Sequence, residues 1–174
     1  MKKKHLLILL ISYGTLHAQK NIFDVSRNGT VEEVLRLYKE NPDIINSVND
    51  SGHSPLILAC YHGNEAVVKF LIEKVKDINE SNDYGTPLMA AVVKGNISIT
   101  KLLLDKNVDV NISDIKGTTA LHYACMYQNI EMVTLLINAN ANYNIKNNVG
   151  KTAMDFAVAT KNKSLITILK NKKP

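Results

Sequence analysis

The sequence predicts an all-α solenoid of stacked helix-turn-helix units joined by hairpin-like turns. Three observations carry that prediction. A short element recurs as Ser54-Pro55-Leu56, Thr86-Pro87-Leu88, Thr119-Ala120-Leu121 and Thr152-Ala153-Met154, in steps of 32, 33 and 33 residues. Asn64, Asn96, Asn129 and Asn162 keep the same phase, as do Phe70, Leu102, Leu135 and Ile168. Behind each element the apolar residues fall at helical spacing, as in Val67, Val68, Phe70, Leu71 and Ile72. A period of about 33 residues, held at several positions, marks an array whose units lean on one another.

The 174-residue chain opens with MKKKHLLILLISYGTLHAQ. Lys2, Lys3 and Lys4 precede an apolar run from Leu6 to Ile11, and Ala18 offers a small residue for cleavage. This is the layout of a secretory signal peptide over residues 1–18. The run is far shorter than the roughly 20 residues that cross a bilayer. The expected product is a mature domain over 19–174 with no stable membrane insertion. Cleavage removes three of the 21 Lys and Arg and none of the 16 Asp and Glu, leaving 18 against 16, a balance of +2. Outside the tail at Lys170, Lys172 and Lys173 there is no basic run to track phosphates, so nucleic acid is not an expected partner. The wealth of Asn, Lys and Ile is compatible with an AT-rich bacterial genome.

Each unit then follows from its residues. Ser54, Thr86, Thr119 and Thr152 suit a helix N-cap, because a hydroxyl accepts from a free backbone N–H. Pro55 and Pro87 suit the first helical position, where the missing donor costs nothing. A short first helix carries small residues at Ala59/Cys60, Ala91/Val92, Ala124/Cys125 and Ala157/Val158, which let neighbouring helices approach closely. Gly63 and Gly95 stop it as left-handed caps would. Gln128 and Lys161 stand where the next two glycines would be, so the later turns are expected to be less regular. A second helix follows, then a polar stretch such as Asp109 to Lys116 that connects to the next unit.

These segments resemble the ankyrin repeat. SPLILAC, TPLMAAV and TTALHYAC match its first helix, and NEAVVKFLIEK, NISITKLLLDK and NIEMVTLLINA its second. Asp77-Ile78-Asn79 and Asp109-Val110-Asn111 match its closing Asp-Val-Asn. The resemblance implies a capping unit at 21–48, full repeats at 49–80, 81–113 and 114–146, and a C-terminal capping repeat over 147–174. The first unit lacks the Thr-Pro-Leu element and offers NGTVEEVLRLYKENPDIIN as a second helix.

The pair His122 and Cys125 invites a catalytic reading, a nucleophile beside its base. The repeat removes it. His122 occupies the family's Thr-Pro-Leu-His position, where the resemblance implies a hydrogen-bonding strut between repeats. Cys125 falls at the small core position shared with Cys60 and Val92. Two repeats separate the cysteines, and packed helices sit about 8–10 Å apart, beyond the reach of a disulfide. Two buried, unpaired thiols are expected. His53 and His62 offer no more than a weak adventitious metal site, and no zinc spacing or phosphate-cradling loop is present. No enzyme activity, cofactor or metal is expected.

The resemblance implies a concave face, built from turn tips and the exposed side of the first helices, that grips protein partners. Carried over position by position, that face comprises Asp50, Ser51, His53, Tyr61 and His62, then Asn82, Asp83, Val93 and Lys94. It continues through Ile115, Lys116, Met126 and Tyr127 to Asn148, Val149, Lys151 and Thr160. Tyr61, Met126 and Tyr127 lead as anchors, since exposed aromatic and apolar groups mark interaction sites. The expected function is a monomeric, non-enzymatic protein-binding module of the bacterial periplasm or the exterior, by likeness to small exported bacterial ankyrin proteins. Its partner would be an envelope enzyme, a toxin or a component of oxidative-stress defence. The alternative is an accessory protein that supplies a cofactor such as haem, with Tyr61, His62, Met126 and Tyr127 on the serving surface.

Overall fold

The computed structural model describes residues 21–171. The expected signal peptide, residues 1–18, and the tail residues Lys172 and Lys173 lie outside the described residues. Ten α-helices follow one another: α1 (Ile22–Asn28), α2 (Val31–Glu40), α3 (Pro55–His62), α4 (Glu65–Leu71), α5 (Pro87–Val93), α6 (Ile97–Leu104), α7 (Ala120–Met126), α8 (Ile130–Asn138), α9 (Ala153–Ala159) and α10 (Lys163–Asn171). A 3-10 turn, Pro42–Asn46, follows α2. Among the described residues there are no strands, only isolated bridges at Asn82–Gly85 and Ser113–Thr119. The odd-numbered helices stack in one row, α1 on α3, α3 on α5, α5 on α7 and α7 on α9, with the even-numbered helices in a second row behind. The chain is an all-α repeat solenoid.

Three of the four expected hydroxyl caps make their bonds, while Thr119 starts its helix with its hydroxyl against His122 Nδ1. Ser54 Oγ accepts from Ile57 N at 3.1 Å, Thr86 Oγ1 from Met89 N at 3.3 Å and Thr152 Oγ1 from Asp155 N at 3.3 Å. Pro55 and Pro87 occupy the first helical position. Ala59, Cys60, Ala91, Val92, Ala124, Cys125 and Ala157 are buried along the stack. Val158 departs from the expectation and is 53% exposed, because among the described residues no further inner helix covers α9. Cys60 and Cys125 are buried free thiols on α3 and α7, with α5 between them. Burial pushes the pKa of both thiols up, that of Cys125 to about 12, so both stay as inert thiols at neutral pH.

The first unit holds more than its sequence pattern indicated. Besides the second helix it has an inner helix, α1, capped by Asn21, whose Oδ1 accepts from Asp24 N at 2.9 Å. Ile22, Val25 and Ser26 face the stack and are buried. The Thr-Pro-Leu signal is replaced here by Asn21-Ile22-Phe23, a capping residue followed by apolar ones, which keeps the physics and loses the letters.

The later turns are also more regular than expected. Gln128 and Lys161 keep the left-handed conformation, at φ 56° and 55°, close to Gly63 at 78° and Gly95 at 67°. At Gln128 the backbone enforces it. Asn129 N donates to Ala124 O at 3.1 Å, matching Asn64 N to Ala59 O at 3.0 Å and Asn96 N to Ala91 O at 2.9 Å.

Asparagines then tie unit to unit. Asn46 Oδ1 accepts from Lys76 N at 2.9 Å, Asn79 Oδ1 from Asp109 N at 2.9 Å and Asn111 Oδ1 from Asn142 N at 2.7 Å. The in-phase set has a different task. Asn64, Asn96, Asn129 and Asn162 cap the second helices, accepting from Val67, Ile99, Met132 and Leu165 N. Asn64 Nδ2 also donates to Gly29 O at 2.9 Å in the preceding unit.

His122 is a strut of the expected kind. Its Nδ1 accepts from Thr119 N at 3.2 Å and lies 2.8 Å from Thr119 Oγ1. Accepting at Nδ1 puts the proton on Nε2, which donates to Lys151 O at 3.1 Å in the next unit. The imidazole is buried and neutral, and burial lowers its proton affinity against the opposing pull of the Lys151 carbonyl.

Two outcomes are expected. Gln128→Gly and Lys161→Gly should each stabilise the chain by about 1 kcal/mol by relieving the left-handed strain, read as a higher urea midpoint at unchanged m-value. His122 binds its proton less readily folded than unfolded. Stability should therefore fall as pH drops below about 6.5, by at most about 1.4 kcal/mol per pH unit for this one proton. Thermal melts between pH 7.5 and 5 should show a smaller drop for His122→Gln. Glu80, held above the usual carboxylate range by burial, acts in the opposite sense toward lower pH in both proteins.

Candidate partner-binding surface

The turns between units hang from the stack as four tips. Three are five-residue loops closed by a bond from the first N–H to the fifth carbonyl: Asn49 to His53 at 3.0 Å, Asp114 to Thr118 at 3.0 Å and Asn147 to Lys151 at 2.9 Å. The remaining tip is one residue shorter. Asn82 N donates to Gly85 O at 3.2 Å, and Gly85 N returns to Asn82 O at 3.0 Å. The 32-residue step between Ser54 and Thr86, and again between Asn82 and Asp114, is the trace of this deletion. The position filled by His53, Thr118 and Lys151 elsewhere is absent here. Gly85 stands at φ 110°, and a Cβ on it would run into the Met89 side chain, so the short turn requires glycine.

A groove of about 560 Å³ runs across this short tip. Its floor is Ile57, Leu58, Met89 and Ala90, and its walls include Tyr61, Val93 and Tyr127 from the inner helices and Tyr84 from the tip. Tyr61, Tyr84 and Tyr127 are 43%, 71% and 54% exposed. The His53 ring stacks on Tyr84 at 5.5 Å between centroids, nearly parallel. The Lys94 ammonium lies 4.8 Å from the Tyr61 ring centroid, a cation–π contact. His62 touches the edge of Tyr61, and its proton affinity is lowered by burial and by the charges of Arg27 and Lys94.

A second groove, of about 490 Å³, is lined by Ile115, Lys116, Met126, Asn148 and Val149. Tyr123 borders both grooves and forms the ridge between them. Its hydroxyl donates to Asp114 Oδ2 at 2.5 Å, while Asp114 Oδ1 accepts from Lys116 N at 2.8 Å and Thr118 N at 2.9 Å. Burial, and then this carboxylate, push the Tyr123 phenol well above its ordinary range. The ring stacks on Tyr127 at 6.4 Å. Anchored to a buried turn carboxylate, Tyr123 is a fixed post.

The residues expected on the concave face are therefore divided. His53, Tyr61, His62, Val93 and Tyr127 line the first groove, with Ser51 and Asn82. Ile115, Lys116, Met126 and Val149 line the second, with Asn148. Lys94 lies at the edge of the first over Tyr61, and Asp83 is exposed at the short tip, its carbonyl accepting from Ile115 N at 3.3 Å. Asp50 is exposed on its tip, Lys151 supplies the carbonyl for His122, and Thr160 Oγ1 donates to Ala157 O at 2.9 Å. Met126 points into a different groove from Tyr61 and His62, so the four residues weighed for a cofactor do not converge on one place. Sequence reasoning missed Tyr84, Tyr123 and Arg27. The unequal repeat step signalled the first of them; the other two had no marker in the repeat pattern.

Among the described residues no group of three or more His, Cys, Asp and Glu is placed to hold a metal ion, and no helix is long and apolar enough to cross a membrane. Residues 22–114 match the family described as Ankyrin repeats (3 copies), and residues 105–157 match Ankyrin repeats (many copies). The chain is also 34% identical over 62 residues to the Ankyrin repeat and SAM domain-containing protein 6 of Rattus norvegicus, a match covering 36% of this chain and 7% of that protein. Capped helix pairs, left-handed turns, hairpin-like tips and a matching profile over more than half of its length agree: the chain belongs to the ankyrin-repeat family.

Proposed function

We propose that the chain is a non-enzymatic binding protein, exported through its N-terminal signal peptide to the periplasm or the exterior, that captures a partner protein along the groove beneath Tyr61, Tyr84 and Tyr127. Ankyrin repeats are protein-interaction modules, and the observation that carries the placement here is the row of exposed tyrosines around an apolar floor. Tyrosines offer large, rigid contact area at low entropic cost and are frequent binding anchors. The stack behind them is pre-organised, so little ordering cost falls on association. The partner class remains an envelope enzyme, a toxin or an oxidative-stress component, met by a monomer of this chain. The side chains that suggested catalysis are occupied elsewhere. His122 is locked between Thr119 and Lys151, and Cys125 is a buried thiol.

The test is affinity capture from the cell envelope with the chain beginning at Gln19, beside a Tyr61→Ala/Tyr84→Ala/Tyr127→Ala variant shown by circular dichroism to be folded. A partner should bind the first bait and be weakened about 100-fold or more by the triple variant. Equal retention by both baits would move the site to the second groove or the convex face. Cell fractionation with and without residues 1–18 checks the export step.

A further inference from the structure

The charges around the first groove are segregated. Its lining residues include Arg27 and two histidines and no Asp or Glu. Three basic groups gather on the wall made by the ends of the inner helices: Arg27 from α1, His62 from α3 and Lys94 just after α5. They are close enough that Arg27 and Lys94 both act on the His62 imidazole. Arg27 is steadied by Asp24 at 3.0 Å, and Lys94 rests on the Tyr61 ring at the groove's edge. Asp24 is thus the carboxylate at this wall and is paired with Arg27, while the other neighbouring carboxylates are engaged elsewhere or lie on the tips. Asp114 is taken up by Tyr123 and two backbone N–H groups, Glu80 accepts from Ser54, and Asp50 and Asp83 sit exposed on the turn tips whose residues Ser51, Asn82 and Tyr84 line the groove.

Basic residues near helix C-termini complement the helix dipole, and that alone accounts for Arg27 and His62. It does not account for the placement of all three along one side of an apolar, tyrosine-walled groove that lacks any carboxylate. We infer that the groove is built for an extended acidic segment of the partner, whose Asp or Glu side chains face Arg27 and Lys94 beside the His62 ring, while a neighbouring apolar or aromatic side chain settles over Ile57 and Met89 between Tyr61 and Tyr84. The apolar contact supplies most of the affinity. The charges choose the sign of the partner and speed its approach. This inference rests on the reading of the first groove as the binding surface.

The experiment is a display selection of fully randomised peptides on the chain from Gln19, followed by fluorescence anisotropy of the enriched peptides. The expected winners carry Asp or Glu beside an aromatic or large apolar residue. Their affinity should fall with rising salt and by about fivefold in Lys94→Glu, with a further loss in Arg27→Gln. A Glu-to-Lys change in the peptide should restore binding to the Lys94→Glu variant, an outcome that simple misfolding cannot give. Winners that lose binding in Tyr61→Ala/Tyr84→Ala but show no acidic preference would overturn the inference and leave the groove as the binding surface. Winners indifferent to Tyr61→Ala/Tyr84→Ala, or no enrichment at all, would overturn both.

Discussion

The structure depends on how closely the inner helices approach one another. Ala59 and Cys60, Ala91 and Val92, Ala124 and Cys125 meet along one buried line, and each is small. No unit covers its own apolar face, so each helix pair is stable only against its neighbour. Larger side chains on this line would pry adjacent units apart; polar ones would need partners that the stack does not supply. The tight spacing fixes the step between units. It then decides where Tyr61, Val93 and Met126 stand, since each follows the buried small pair directly.

This dependence explains why so much of the fold was legible. The caps Ser54, Thr86, Thr119 and Thr152, the prolines behind them and the buried small residues are each demanded by local physics, and they repeat. A local demand that repeats is visible without a structure. The inner helix α1 escaped because Asn21 and Ile22 meet the same demand with different residues. The turns at Gln128 and Lys161 were misjudged for a related reason. Side-chain preference argued against the left-handed conformation, while the bond from Asn129 N to Ala124 O enforced it at the first of these turns.

The candidate surface was less legible, because it depends on relations between units. The abundance of asparagine had a compositional explanation at first. In the fold, Asn46, Asn79 and Asn111 each reach the backbone of the next unit, and Asn64 reaches back to the previous one. The amide group is suited to this, carrying an acceptor and donors on one short stem. Tyr123 gains its place within one unit, from Asp114 on the tip nine residues earlier, and nothing in the helix pattern announces that bond.

The short tip at Asn82–Gly85 shows how such a scaffold varies. Removing one residue there left the helices on either side in register, with the same caps and the same buried small pair. A tip can thus differ in length by one residue while the helices beside it keep their caps and their buried line. One residue fewer in this tip alters the outline of the groove beside it while the stack behind keeps its step. Such an array accepts a change of length more readily at a surface tip than within a packed helix.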